Sequence, residues 1–357
     1  MTDAAAHVAW IDTLDVNDIG RAGPKIAKLG ELRATGMTVP RGFVVTAGAY
    51  EQAMIDPELG RTIDELLSQV DPDDHSGVRE ITAQVRSRVA ALELSQQLAN
   101  EISDAYAQLC EQCGVPDLMT AVRSSATGED AADASFAGQF DTYLGVHGIG
   151  DLLDAVRACW VSLFTERAVI YRAMNSVSHH DCPMAVGVLE LIDARASGVA
   201  FSVHPVTGRR DRIVIEGSWG WGEAVVQGLV TPDRAEVGKS DARILDYVVS
   251  NKLVMSAFDP EHRRVVERAM PEELQSTKVL TDIEVVEIAA AVKQIETHFD
   301  HPVDVEWVTS TAPDGEARVT IVQARPETVH GPAGPDAPPE WNPAGYAMRY
   351  AFGDPTP

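Results

Sequence analysis

Apolar residues recur every third or fourth position in "GPKIAKLGELRATG" (residues 23–36), at Ile26, Leu29 and Leu32, the spacing of one helix face. Glycines punctuate both ends of the run, so a helix is expected there. A turn and a short buried strand should follow in "MTVPRGFVVTAGAY". Long amphipathic patterns run from about 61 to 112 and from about 149 to 174. Strand-like runs then take over: "MAVGVLELI" (184–192), "SGVAFSV" (197–203), "RIVIEGSWG" (212–220), "VDVEWV" (303–308) and "RVTIVQAR" (318–325). A helical pattern, "DIEVVEIAAAVKQIETHF", separates the last two from the others. This mixture predicts an α+β protein with antiparallel sheets rather than a doubly wound parallel one. From residue 331 the chain is so rich in Pro and Gly that a linker or a partner-docking tail is expected, and the folded unit should end near 330. No internal repeat is visible.

Composition narrows the function classes. With 357 residues, 45% of them hydrophobic, the chain can bury a large core. Its formal charge of −25 would repel a phosphate backbone at long range, so nucleic acid is not an expected partner. The start "MTDAAAHVAWIDTLDV" has no basic segment followed by an apolar core, and no stretch has the length of a membrane span. A cytoplasmic location and no membrane contact are therefore expected. Four scattered cysteines make no disulfide framework, and reduced thiols are expected. "CEQC" (110–113) has zinc-like spacing but falls in a helical stretch with no second pair, and "HHDC" (179–182) could complete a metal site only through the fold. No metal role is expected of either.

The chemistry concentrates in "AVRSSATGEDAADASFAGQF" (121–140). Small residues let backbone N–H groups approach a ligand closely, Ser and Thr hydroxyls add donors, and an entering arginine can neutralise phosphate charge. The loop at 124–139 therefore reads as a phosphate cover. It is not a Walker loop, because no Gly-Lys-Ser/Thr follows, and no GxGxxG opens a helix after a strand.

Seven further segments surround it: "GPKIAKLGEL", "VPRGFVVTAGAY", "SLFTERAVIYR", "SGVAFSVHPVTG", "EGSWGWGEAVVQGLVTPD", "VDVEWV" and "IVQARPETV". In this order the set resembles the ATP-binding domain of the phosphoenolpyruvate synthase and pyruvate phosphate dikinase family, over residues 15–330. The resemblance implies an ATP-grasp fold, with nucleotide held between two α+β lobes, at 1–187 and 188–330. It implies ATP and Mg2+ as cofactors of a dikinase-type phosphotransferase. Lys25 then looks like the lysine on the ATP phosphates and Arg123 like the arginine that opens the phosphate loop; both supply positive charge to a transferring phosphoryl group. Gly128, Gly138 and Gln139 would belong to the covering loop. Glu190 and Leu191, in "VLEL", would meet the adenine. Glu306 and Gln323 lie on two strand patterns, and a carboxylate and an amide oxygen facing one another there suit magnesium. Arg325 shares the facing of Gln323 and can reach the same phosphates. Asp304 shares the facing of Glu306 and is the competing ligand.

Three departures bear on the implied role. Leu189 and Leu191 stand where many relatives carry Gln and Met at the adenine strand, and Pro24 stands where a second Gly is common, a mild change at a helix start. None of the ten histidines lies in the Gly-Gly-x-Thr-x-His-Ala-like setting of the family's phosphohistidine. The chain is then either an excised domain or a natural subunit, and its start and proline-rich tail favour a subunit. The first expectation is the ATP-binding subunit of a split phenylphosphate or 4-methylbenzyl phosphate synthase. Its partner would be a separate subunit bearing the phosphohistidine and the phenolic or benzylic acceptor site. The alternative is the ATP-binding domain of a phosphoenolpyruvate synthase or a rifampin phosphotransferase-like enzyme. A non-catalytic nucleotide-binding regulator would not need every one of these charge-handling residues.

Overall fold

Every residue of Gly42–Val45 is buried, as are the first six of Met184–Glu190. Strands covered on both faces belong in the interior of a sheet. In the computed structural model, which describes residues 6–327 apart from 129, 132–133, 136–139, 176, 227, 260–263, 312–314 and 316, both lie inside the first of two antiparallel sheets. That sheet comprises β1 (Val8–Trp10), β2 (Gly42–Val45), β3 (Thr120–Ala126), β4 (Thr142–Val146) and β5 (Met184–Glu190), in the order β1-β2-β5-β3-β4. The second comprises β6 (Ala196–Phe201), β7 (Arg212–Trp219), β8 (Asp233–Gly238), β9 (Ile244–Val248), β12 (Val303–Thr311) and β13 (Ala317–Pro326), in the order β9-β8-β7-β6-β12-β13. A separate hairpin joins β10 (Val254–Asp259) to β11 (Arg264–Ala269). The α+β class and the antiparallel sheets expected of an ATP-grasp are present. The chain passes between the sheets at 191–195, a few residues after the division expected at 187/188.

Helix α1 (Ile19–Ala34) joins the two halves of the core. Its backbone breaks at Gly23 (φ +68°), so the continuous helix starts at Pro24, whose missing N–H costs nothing in a first turn. A Cβ at Gly23 would collide with Ser125 of β3, so glycine lets the two backbones touch. Ile26 seats on Gly187 of β5, while α1 also packs on β13. One hydrophobic core therefore runs from Val44 and Leu189 of the first sheet through Ile26 and Leu29 to Ile215, Val305 and Trp307 of the second.

The amphipathic stretch expected at 61–112 divides into three helices, α2 (Ala47–Ala53) preceding them: α3 (Pro57–Leu67), α4 (His75–Ala90) and α5 (Gln96–Cys113). Asp74 and Ser95 cap the second and third by accepting backbone N–H bonds, and Gly114 ends the last in the left-handed conformation. Likewise 149–174 divides into α6 (Ile149–Ser162) and α7 (Glu166–Met174), the latter capped by Thr165. Helix α8 (Asp282–Phe299) coincides with its sequence pattern and packs on the second sheet. Among the described residues no helix is long and apolar enough to cross a membrane. The four cysteines are unpaired. Residues 331–357, the expected tail, lie outside the described residues.

Trp307 is fully buried, and its ring lies over Gly198 of β6 and Gly217 of β7. A Cβ at Gly198 would run into the Glu216 carbonyl as well as the indole. Gly198→Ala is therefore expected to cost about 1–3 kcal/mol, as overpacking does, seen as a lower urea midpoint at unchanged slope. Gly60→Ala on α3, where nothing lies within 4 Å, should instead add roughly 0.5–1 kcal/mol.

Candidate functional site

Residues that alternate along paired strands share a face. On β12, Val303, Val305 and Trp307 are fully buried, and Asp304 and Glu306 point the other way. On β13 their cross-strand partners are Arg325 and Gln323, in register Asp304↔Arg325 and Glu306↔Gln323. The register then slips by one residue, since Trp307 pairs with Ile321 and leaves Val322 as a bulge. Such a bulge re-aims backbone and side chains. Here it presents the Val322 carbonyl to the first sheet.

Arg123 of β3 reaches that carbonyl, its Nη1 donating at 2.7 Å. Its Nη2 donates to Gln323 Oε1 at 2.8 Å and to Glu306 Oε2 at 3.2 Å. Gln323 Nε2 completes the group by donating to Glu306 Oε1 at 3.0 Å. Arg123 and Glu306 are only 14% and 19% exposed, so salt screens the pair less than a surface ion pair.

The cluster lines a cavity of about 600 Å³ between the sheets. Lys25, Arg167 and Arg325 line it too, as do Leu189, Glu190, Leu191, Tyr143 and the turn Trp221–Glu223. Lys25 stands in the first turn of the Pro24 helix and its Nζ lies 3.5 Å from the Ser124 carbonyl. Four cations thus face one space, where they can pair with an anionic ligand, and the carboxylates of Asp141, Glu190, Glu223 and Glu306 stand on the same lining. The hard oxygens of Glu306 and Gln323 on the same wall form a donor set that fits magnesium. Asp304 is two residues away and outside the cavity lining. Its Oδ2 accepts from Arg325 Nε at 2.7 Å, and its Oδ1 is buried with no hydrogen-bond partner among the described residues. Burial raises the Asp304 pKa, with the Arg325 guanidinium acting against it.

At the other end of the cavity, Glu190 and Leu191 close β5. Their N–H groups already donate to the carbonyls of Arg41 (2.8 Å) and Met119 (3.0 Å). The Glu190 carboxylate accepts from Arg41 N at 2.9 Å and from Cys113 Sγ at 3.2 Å. Burial and that carboxylate push the Cys113 thiol up to about 11. Apolar side chains of Pro40, Leu191 and Ile192 line this end of the cavity.

Of the residues expected at the site, Lys25, Arg123, Glu190, Leu191, Glu306, Gln323 and Arg325 line this one cavity. Gly128 does not; it packs beside Cys182, whose Sγ would lie 3.0 Å from an added Cβ. Ser124 and Ser125 are strand residues paired with Val186 and Ala185, so the loop expected from 124 starts after Ala126. Gly138 and Gln139 lie outside the described residues. Sequence reasoning overlooked Arg167, Trp221, Tyr143 and Glu223. Arg167, Trp221 and Glu223 stood in "SLFTERAVIYR" and "EGSWGWGEAVVQG", where other charged and aromatic residues left nothing to single them out. Burial raises the pKa of Glu223.

Comparison with known proteins adds an independent observation. The sequence model described as "Pyruvate phosphate dikinase, AMP/ATP-binding domain" matches residues 19–342. The chain is 42% identical over 327 residues to a probable phosphoenolpyruvate synthase of Methanothermobacter thermautotrophicus, covering 92% of this chain and 47% of the relative. It is 37% identical to the phosphoenolpyruvate synthase of Pyrococcus furiosus, covering 91% and 44%, and 38% identical to that of Escherichia coli, covering 90% and 42%. The chain spans less than half the length of these curated relatives.

Because its folded-state pKa is raised above the ordinary 3.8, Asp304 contributes most to stability when protonated, and that contribution is lost as pH rises from 3.8 through the folded value. Arg325→Ala removes the main opposing charge and should raise the Asp304 carboxyl further. Carbon-13 NMR titration of that carboxyl in both proteins checks this, and an unmoved midpoint would contradict the assigned cause.

Proposed function

Because the chain belongs to the pyruvate phosphate dikinase AMP/ATP-binding domain family, we propose that its cavity holds ATP with magnesium and delivers a phosphoryl group to a histidine on a separate domain or subunit. One observation carries this reading: three cations, Lys25, Arg123 and Arg325, and the oxygen pair of Glu306 and Gln323 converge on one cavity between the sheets. Transferring a phosphoryl group demands positioning and charge stabilisation more than covalent help from the protein.

Lys25 on helix α1 and Arg325 on the second sheet hold the phosphate chain from two sides. Arg123 stabilises charge that builds on the phosphoryl oxygens as the imidazole nitrogen bonds to phosphorus and the bond to the departing nucleotide oxygen breaks. Glu306 and Gln323 hold the magnesium ion, which neutralises phosphate charge when bound. The second sheet holds the Arg123 side chain at the cavity wall before the substrate arrives, so less freedom is lost when it engages the phosphates. The names of the relatives favour a histidine that serves phosphoenolpyruvate formation over one that serves a phenolic or benzylic alcohol.

The test is to incubate the chain with magnesium-ATP and the histidine-bearing domain of a phosphoenolpyruvate synthase relative, then measure acid-labile phosphate on that domain and the AMP or ADP formed. Phosphate should appear on the histidine. Arg123→Ala should lower transfer by about 100-fold with a much smaller change in ATP dissociation constant, because its charge acts chiefly in the transition state. Glu306→Gln should lower magnesium-dependent transfer by a similar factor of about 100. Equal rates for wild type and both variants would remove the cavity from the reaction.

A further inference from the structure

We propose that Asp64, His179 and His180 form a second, separate binding site for a late first-row divalent ion of the zinc class. Asp64 stands on α3. The histidines open the single 3₁₀ turn His179–Asp181 that leads into β5, with Ser178 Oγ accepting from His180 N at 3.2 Å. His180 Nε2 lies 2.9 Å and His179 Nε2 3.3 Å from the same oxygen, Asp64 Oδ1. Among the described residues this is the group of three His, Cys, Asp or Glu whose ligand atoms all lie within 4.8 Å of one another.

Ligands about 2.0–2.2 Å from a tetrahedral zinc ion sit roughly 3.4 Å apart. The two spacings to Asp64 Oδ1, 2.9 and 3.3 Å, are close to this, and the two imidazole nitrogens lie within 4.8 Å of each other. Two imidazole nitrogens and one carboxylate oxygen suit zinc, nickel, cobalt or copper, whereas magnesium and calcium prefer oxygen alone. The His179 ring is already held, meeting Phe164 edge to face at 6.1 Å. The charges facing the ring are Asp64 and Asp181, with Arg172 opposing them.

An ion here would fasten α3 to the segment that supports the Gly/Ser/Thr-rich loop. Thr127 N donates to the Pro183 carbonyl at 3.1 Å, and Gly128 packs beside Cys182, both immediately after the histidine turn. The ion would therefore steady the root of that loop without entering the cavity. Sequence alone left "HHDC" without a partner, because Asp64 lies 116 residues away from His180.

Isothermal titration of the tag-free, chelator-treated chain with Zn2+ tests the proposal. About one ion per chain should bind. His180→Ala and Asp64→Asn, whose side chains are 63% and 50% exposed and so carry little of the fold, should each weaken binding by about 10-fold or more. Glu306→Gln should leave it unchanged, which separates this site from the cavity. Hydrogen exchange across α3 and residues 177–183 should slow on adding Zn2+ in wild type and not in His180→Ala. Absence of binding, or equal titrations for wild type and both ligand variants, overturns the site.

Discussion

The guanidinium of Arg123 is the contact on which the cavity depends. It starts on the first sheet and ends on the second, donating to the Val322 carbonyl, to Gln323 and to Glu306. A half-buried arginine is stable only where its donors find acceptors, and charge-assisted bonds of this kind are the stronger ones. Here the acceptors come from a bulge and from a cross-strand pair. The same carboxylate and amide therefore orient the arginine and offer oxygens to a cation.

Around that contact the core keeps the two sheets in a fixed relation. Helix α1 packs on β3, β5 and β13 together, and its break at Gly23 brings Lys25 to the edge of the cavity. Trp307 occupies the space left by two glycines, which fixes the neighbouring Glu306 without a polar anchor beneath it. The hairpin β10–β11 closes another side, Phe258 resting on Gly145 of β4 and meeting Trp221 edge to face at 6.2 Å. The buried ion pair of Lys252 and Asp233, at 2.6 Å, holds the outer strands of the second sheet. Asp233 also accepts from Tyr247 Oη, Ser250 N and Val279 N. A buried carboxylate with every lone pair used adds specificity of arrangement more than net stability.

The two acidic strand residues show how environment separates roles. Asp304 and Glu306 lie two apart on one face, yet Asp304 is closed off by burial and Arg325, while Glu306 borders the cavity. Of the two, Glu306 is the one that lines the cavity.

Local periodicity determined much of this protein before any tertiary contact was known. The alternation from Val303 to Trp307 assigns Asp304 and Glu306 to one face, the 3.6-residue pattern marks α8 to the residue, and ordered motifs name the family. Each rests on neighbours in the chain, and neighbours are visible in sequence. What only the fold decided is non-local or set by polar residues whose partners are distant. The caps Asp74, Ser95 and Thr165 that divide the long amphipathic stretches read as ordinary surface residues, and the mixed polar strands of 233–269 carry no clean alternation. The bulge at Val322, the meeting of Arg123 with Gln323 across 200 residues, and the approach of Asp64 to His179 and His180 all follow from how the sheets and helices pack. Periodicity says which face a side chain takes, and only packing says what that face meets.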